Sequence, residues 1–401
     1  MPRKHLPLLL SVQLLLAFTL GCGSSSSNMA PPPPPPSKAE FLYVITFDPL
    51  SKNSQLMTFK LDPANGVLSL TSGNAMQAAF GMGMVADPAS KFLYLSDPNP
   101  AIHAIDINAI NPKTGSLTPD GAFVVDSICP FCTPVNGPGP LTMDSKGKFL
   151  YYGSNVIGNG LSQVVGGLSV DSVTGSLNLV PGSPFPADDV PASVLVHPSG
   201  HFLYTEDLLP GPGFLLQAVS GFSIDANTGA VTPLGGSPFT ASSNAEATGF
   251  VIHPTGKFMY ASSGSAANGV LAWRIDGTTG VLTALPGSPF SAGTTTFGVT
   301  ISPSGKFLYS SNSLTGGIPG FSIDAASGAL APIVGSPFNT SVQWSHCVVD
   351  PSGKFLVAGD GKNEVIDIFS IDPTTGALTQ IGNSIPIGAI PLSMVMAKAS
   401  Q

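Results

Sequence analysis

Groups that can move a proton or hold a cation are scarce in this 401-residue chain, where charged residues make up 9%. The exceptions are therefore informative. Glu206 and Asp207 are adjacent acids, a pair that can position a general base or a divalent cation. Glu246, Asn312 and Trp344 are further residues expected to touch a ligand. Asp48, Asp97, Asp188, Asp189, His346, Asp360 and Glu364 also stand outside any repeated phrase. Each of these, taken singly, also reads as a solvated loop residue. His253, in "HPTGKFMY" (253–260), resembles a catalytic base beside a lysine until the rest of the chain is aligned with it.

That phrase recurs. The anchors "EFLY" (40–43), "KFLY" (91–94), "KFLY" (148–151), "HFLY" (201–204), "KFMY" (257–260), "KFLY" (306–309) and "KFLV" (354–357) follow one another at 48 to 57 residues. A second phrase keeps step with them, from "FKLDPANGVL" (59–68) to "FSIDPTTGAL" (369–378). A third, "GSPF", begins at 182, 236, 287 and 335. Self-similarity at about 50 residues, all of it strand-like, predicts an all-β, seven-bladed β-propeller with four-stranded blades. The final stretch "PLSMVMA" (391–397) is expected to pair with the N-terminal blade and close the ring.

In this alignment the position of His253 is filled by Asp87, Asp144, His197, Ser302 and Asp350. All are short side chains able to bond the following turn, so His197 and His253 read as scaffold. Lys91, Lys148, Lys257, Lys306 and Lys354 share one turn position and are expected to be solvated there. If these turns close one face of the disc, the variable loops form the other, and a ligand is expected on that loop face.

Gly (46) and Pro (39) suit short strands and tight turns rather than long helices. The N-terminus reads differently. "MPRKH", the apolar run 6–20 and "TLGC" (19–22) resemble a bacterial lipoprotein signal, which makes 1–21 a signal peptide and Cys22 the lipidated residue. An ordinary cleaved signal is the alternative. Residues 22–39 read as a tether, with six prolines forming a spacer of roughly 19 Å at ~3.1 Å per residue. The propeller occupies 40–401. Gly23 is not the acidic residue associated with inner-membrane retention, so the expected location is the cell envelope, at the outer membrane.

Cys129 and Cys132 form "CPFC". A structural disulfide is expected, and a redox couple is the alternative, since the spelling resembles thioredoxin-like proteins without their βαβ setting. Cys347 stands alone. No histidine or cysteine cluster has metal spacing, so neither a metal nor a cofactor is expected. Without Arg3 and Lys4, 13 basic residues face 23 acidic ones, a net charge of −10. Nucleic acid is accordingly not an expected partner.

The phrases "HPSGHFLY" (197–204) and "FSIDxxTGxL", repeated around the ring, resemble the lactonase family of seven-bladed propellers, which includes 6-phosphogluconolactonase-type enzymes. The resemblance implies a carboxylic-ester hydrolase opening a sugar lactone. The family's Pro-Arg-His and Asn-Glu find only "ATG" (247–249) and "SSG" (262–264) here. Its histidine and later Asp-Leu-Gly are echoed in "SHCVVDPSGKFLVAGDG" (345–361), which carries over His346 as candidate base and Asp360 as its orienting acid. Arg274 is the one arginine left after the signal, within "LAWRID", and reads as an inter-blade contact. A phosphorylated lactone needs a cationic clamp. The expected ligand is therefore a small neutral lactone or sugar, bound by a monomer attached to the membrane through its lipid. The reading from a different class is a non-catalytic propeller that binds a protein or glycan through its loop face.

Overall fold

A computed structural model describes residues 40–51, 53–71, 76–78, 83–97, 104–125, 138–154, 164–187, 190–208, 216–239, 247–263, 269–292, 296–312, 316–339 and 344–398. Seven antiparallel sheets follow one another, each built on four strands ordered from the innermost outward, with a short fifth strand added to blades 1, 3 and 5. Blade 1 takes its innermost strand from the far end of the chain. Ile390–Lys398 pairs with Glu40–Asp48, from Glu40 opposite Lys398 to Phe47 opposite Ile390. The ring closes as expected from the sequence, and the closing strand leaves Glu40–Asp48 paired on both sides.

No blade has a core of its own. The seven hydrophobic clusters each combine two neighbouring blades, as where Phe202 and Tyr204 of blade 4 meet Met259 and Trp273 of blade 5. The repeated phrases explain this arrangement. In each Asp-x-x-Thr-Gly turn the aspartate accepts backbone N–H groups, as Asp171 does from Val173 (2.9 Å) and Thr174 (2.8 Å). The glycine then takes a positive φ, 71° at Gly175 and 81° at Gly229. The preceding blade's phenylalanine ring lies where a Cβ would stand, Phe92 against Gly175 and Phe149 against Gly229. The tyrosine two residues later donates to the same glycine's carbonyl, from Tyr94 to Gly175 (3.0 Å) and from Tyr204 to Gly280 (2.7 Å).

The turn residues behave as caps. Asp144 Oδ1 accepts the N–H groups of Lys148 (2.6 Å) and Phe149 (2.7 Å). His197 and His253 extend that role. Their Nδ1 atoms accept from Ser199 N and Thr255 N, both at 3.1 Å, which leaves Nε2–H to donate to Gly256 O (2.8 Å) and Gly305 O (3.0 Å) in the next blade. Burial keeps both rings neutral by lowering their pKa. The turn lysines are exposed but not simply solvated. Lys148 Nζ donates to Ala226 O and Asn227 O at 3.0 Å in the following blade, over its own Phe149 ring. Arg274 also crosses between blades, stacked at 5.1 Å on Phe258 and bonded to Ser327 O.

"GSPF" is a buckle on the outer edge. Its serine accepts an N–H of the third strand, from Gly167 to Ser183 and from Gly320 to Ser336, both at 2.9 Å. Its Ser–Pro bond is cis in all four copies. The outer strand beside it spans three residues, such as Leu177–Leu179. Blades 1, 2 and 7 lack the phrase, and in blades 2 and 7 the outer strands are longer, Leu117–Val124 and Leu378–Pro386. Removing one inter-blade hydroxyl leaves a buried carbonyl unpaired. Tyr204→Phe is therefore expected to lower unfolding free energy by ~1–2 kcal/mol, measured by denaturant titration.

Candidate functional site

Strand direction places the sequence-selected residues at one end of the disc. In each blade the innermost strand enters from the variable-loop end and the second strand returns to it. Glu206, Asp207, Asn312 and Asp360 close second strands, while Trp344 and His346 open the innermost strand of blade 7. Cys22, Cys129, Cys132, Asp188, Asp189 and Glu246 lie outside the described residues, and Trp344 is described in its backbone alone.

Counted from the phenylalanine of each anchor phrase, the fifth residue on is Thr46, Asp97, Ser154, Asp207, Ser263, Asn312 or Asp360. It is polar in every blade, so four residues that looked unrepeated share one register position. Most are consumed by the scaffold. Asp360, fully buried, accepts Lys362 N (2.8 Å), Asn363 N (3.0 Å) and the Asn363 amide, capping the turn that follows. Asp207, also fully buried, accepts the hydroxyls of Thr205 and Ser220 within its own blade. Asn312 is buried beside a cleft lined by Pro319, Phe321 and Pro337.

Strand alternation sets the members of each candidate pair on opposite faces. Alternation along a strand sends Glu206 and Asp207 to opposite faces of blade 4. His346 stands opposite Gly359, one residue before Asp360, so the two candidate catalytic residues face opposite neighbours. His346 is half-buried toward blade 1, where a side chain on Gly359 would meet Pro391. Asp360 faces blade 6, with the parity of Leu356 and Ala358.

Glu206 is different. The fourth position after the phenylalanine is otherwise Ile45, Ser96, Gly153, Ser262, Ser311 or Gly359, so one blade in seven carries an acid there. Its side chain is 3% exposed and points at blade 5. There the innermost strand slips register between Thr248 and Phe250, and the bulged Gly249, at φ 57°, donates its N–H to Glu206 Oε2 at 3.1 Å. Such bulges recur in the innermost strands and re-aim groups at the rim. Burial raises the carboxyl's pKa, the Gly249 N–H opposes this, and the Asp207 charge adds to it. The result is about 8, a carboxylic acid at neutral pH. Gly249 itself escaped sequence reasoning, because "ATG" contains nothing that marks a bulge.

Cations gather at one end. Among the described residues, Lys91, Lys148, Lys257, Arg274, Lys306, Lys354 and Lys398 lie at the turn end, interleaved with turn acids such as Asp144, Asp171 and Asp350, while Asp48, Asp97, Glu206, Asp207, Asp360 and Glu364 face Lys362 alone at the loop end. No described group of three or more His, Cys, Asp or Glu is arranged to hold a metal. Burial pushes the Cys347 thiol up to about 12, which leaves it an inert core residue.

Residues 283–392 match the family model "Lactonase, 7-bladed beta-propeller". No curated protein matches the chain. Solved structures do. A candidate 6-phosphogluconolactonase from Bacteroides fragilis is 20% identical, over 91% of this chain and 100% of that one, with a TM-score of 0.72. A second, from Bacteroides uniformis, is 17% identical over 90% and 100%, at 0.73. The periplasmic gluconolactonase of Pseudomonas aeruginosa is 16% identical over 90% and 99%, at 0.67. The chain has the fold of these propellers. At such identity the likeness extends to the fold alone, and the chemistry rests on its own residues.

Asp360 has a structural job, so its loss should be read in stability. Asp360→Ala is expected to lower unfolding free energy by ~1–2 kcal/mol in denaturant titration. A loss of turnover at unchanged stability would instead restore it as an orienting acid.

Proposed function

We propose that this chain is a lactonase-type propeller that opens a neutral sugar lactone at its loop end. The observation that carries the reading is Glu206, a buried carboxyl held in its acid form where every other blade has a small or apolar side chain. A lone perturbed acid breaking a repeat at a propeller rim is the kind of departure that function imposes on a scaffold. The family match over 283–392 and the lactonase names of the structural neighbours support the same reaction class.

The chemistry follows from the proton. Water adds to the lactone carbonyl carbon, and the ring carbon–oxygen bond then breaks. The departing ring oxygen would be an alkoxide, and Glu206 gives it a proton as a general acid. His346, at the same end, takes the proton lost by the attacking water. Exchange with solvent resets both groups. A phosphorylated lactone is disfavoured because the cations lie at the turn end and acids predominate at the loop end.

Glu206→Gln is expected to lower kcat/KM on neutral lactones by about 10²–10⁴-fold, with rates taken above spontaneous opening. Wild-type activity should fall as pH rises through about 8, where Glu206 loses its proton. Loss in His346→Ala assigns the base. No turnover above background on any neutral or phosphorylated lactone would sink the reading. It would favour a propeller that binds a protein or glycan at the loop end, in line with the polar groups that the scaffold already holds there.

We further propose export with lipid attachment at Cys22 and residence at the outer membrane, on the strength of "TLGC" and the proline spacer. Cys22→Ser is expected to move the protein from the membrane to the soluble fraction and to remove the lipid from its mature N-terminal mass. Membrane association unchanged in the variant would exclude this anchor.

A further inference from the structure

One seam of the ring is built differently from the rest. Tyr43, Tyr94, Tyr151, Tyr204, Tyr260 and Tyr309 each donate to a glycine carbonyl of the following blade. Between blade 7 and blade 1 the residue is Val357, which packs its side chain in the seam and has no hydroxyl to offer. The residue before the phenylalanine changes too. It is Lys91, Lys148, His201, Lys257, Lys306 or Lys354 in blades 2 to 7, and Glu40 in blade 1.

Glu40 is 3% exposed and stands opposite Lys398 on the closing strand. In the other seams the residue at the Asp350 position reaches the turn that precedes the next blade's phenylalanine, as His197 reaches Gly256 and His253 reaches Gly305, and the same offset sets the fully buried Asp350 beside Glu40. Asp350 Oδ1 accepts Phe355 N at 2.6 Å, and Oδ2 accepts Ser352 N at 2.9 Å and the Ser352 hydroxyl. Asp350 is thus fixed as an acceptor. Among the described residues, Glu40 Oε2 is buried with no hydrogen-bond partner. One proton between them converts that contact into a charge-assisted hydrogen bond.

We propose that Glu40 keeps a buried proton and donates it to Asp350, a pH-sensitive latch that holds the last blade to the first at the one seam without a tyrosine. The charged groups facing Glu40 are Asp350 on the blade 7 turn, Lys354 beside it, and Lys398 on the closing strand. Burial is the largest influence, and together with Asp350 it outweighs the two lysines and raises the carboxyl from 4.5 to about 8. The native state therefore keeps a proton that the unfolded chain has released across that interval. The latch is whole below 4.5 and is lost as pH rises through about 8. Seams closed by tyrosine titrate far higher, since burial raises those phenols further.

The test compares the full-length protein and its Glu40→Gln variant by hydrogen exchange at about pH 6 and about pH 9, corrected for intrinsic exchange. Glutamine donates to Asp350 without titrating. Protection of Glu40–Asp48 and Ile390–Lys398 in the wild type should fall by about tenfold or more, the equivalent of one pKa unit. The glutamine variant should keep its protection, and the seam between blades 2 and 3, closed by Tyr94 on Gly175, should be unchanged in both. Removing a countering cation, with Lys398→Met, should move the loss to higher pH, and it serves where the glutamine variant does not fold. Identical pH dependence at the closing strands in wild type and Glu40→Gln, or no shift in Lys398→Met, would overturn the latch.

Discussion

The contact between a phenylalanine ring and a turn glycine in the next blade is the constraint on which the rest of this molecule depends. Because the ring occupies the space of a Cβ, the turn can end only in glycine, and the positive φ of that glycine aims its carbonyl at the tyrosine two residues beyond the ring. One phrase in each blade thereby fixes the distance and rotation to its neighbour. Seven such contacts place all seven hydrophobic clusters between blades rather than within them. A blade removed from the ring would expose both of its faces, so the stability of any one blade is a property of the pair it belongs to.

That dependence is also why the fold could be read from the sequence. Phe, Tyr, Asp and Gly recur at fixed offsets because each is answered by a residue about one repeat away. The pattern was complete enough to give blade number, strand order and the closing strand. The site was less legible, for a physical reason. Asp97, Asp207, Asn312 and Asp360 looked individual because their identities differ, although their shared register makes them one structural ring. Facing direction was also hidden. Whether Glu206 and Asp207, or His346 and Asp360, meet depends on strand alternation and on a bulge that no residue type announces. The sequence signal for Glu206 lies in the fourth position after each phenylalanine, where the other six blades carry Ile, Ser or Gly, and not in the variable loops.

Two of the chain's few buried acids lie at opposite ends of the disc and hold protons for different reasons. Among the described residues no cation acts on Glu206, which receives one backbone N–H from a neighbouring blade, so burial decides its state. Glu40 has lysines within reach, yet a second carboxyl and burial outweigh them. Both residues interrupt a repeat, one where a small side chain is usual and the other where a lysine is. In a molecule this regular, a break in the pattern that keeps a charged group out of water is a stronger pointer than any residue type.

Closing the ring with strands from both ends of the sequence has a geometrical consequence. Glu40 and Lys398 are register partners at the turn end, so the disc begins and finishes at the same point on its rim, away from the variable loops. Joining the two ends of the ring and cutting in a variable loop would preserve every inter-blade contact, which makes the domain a candidate for circular permutation.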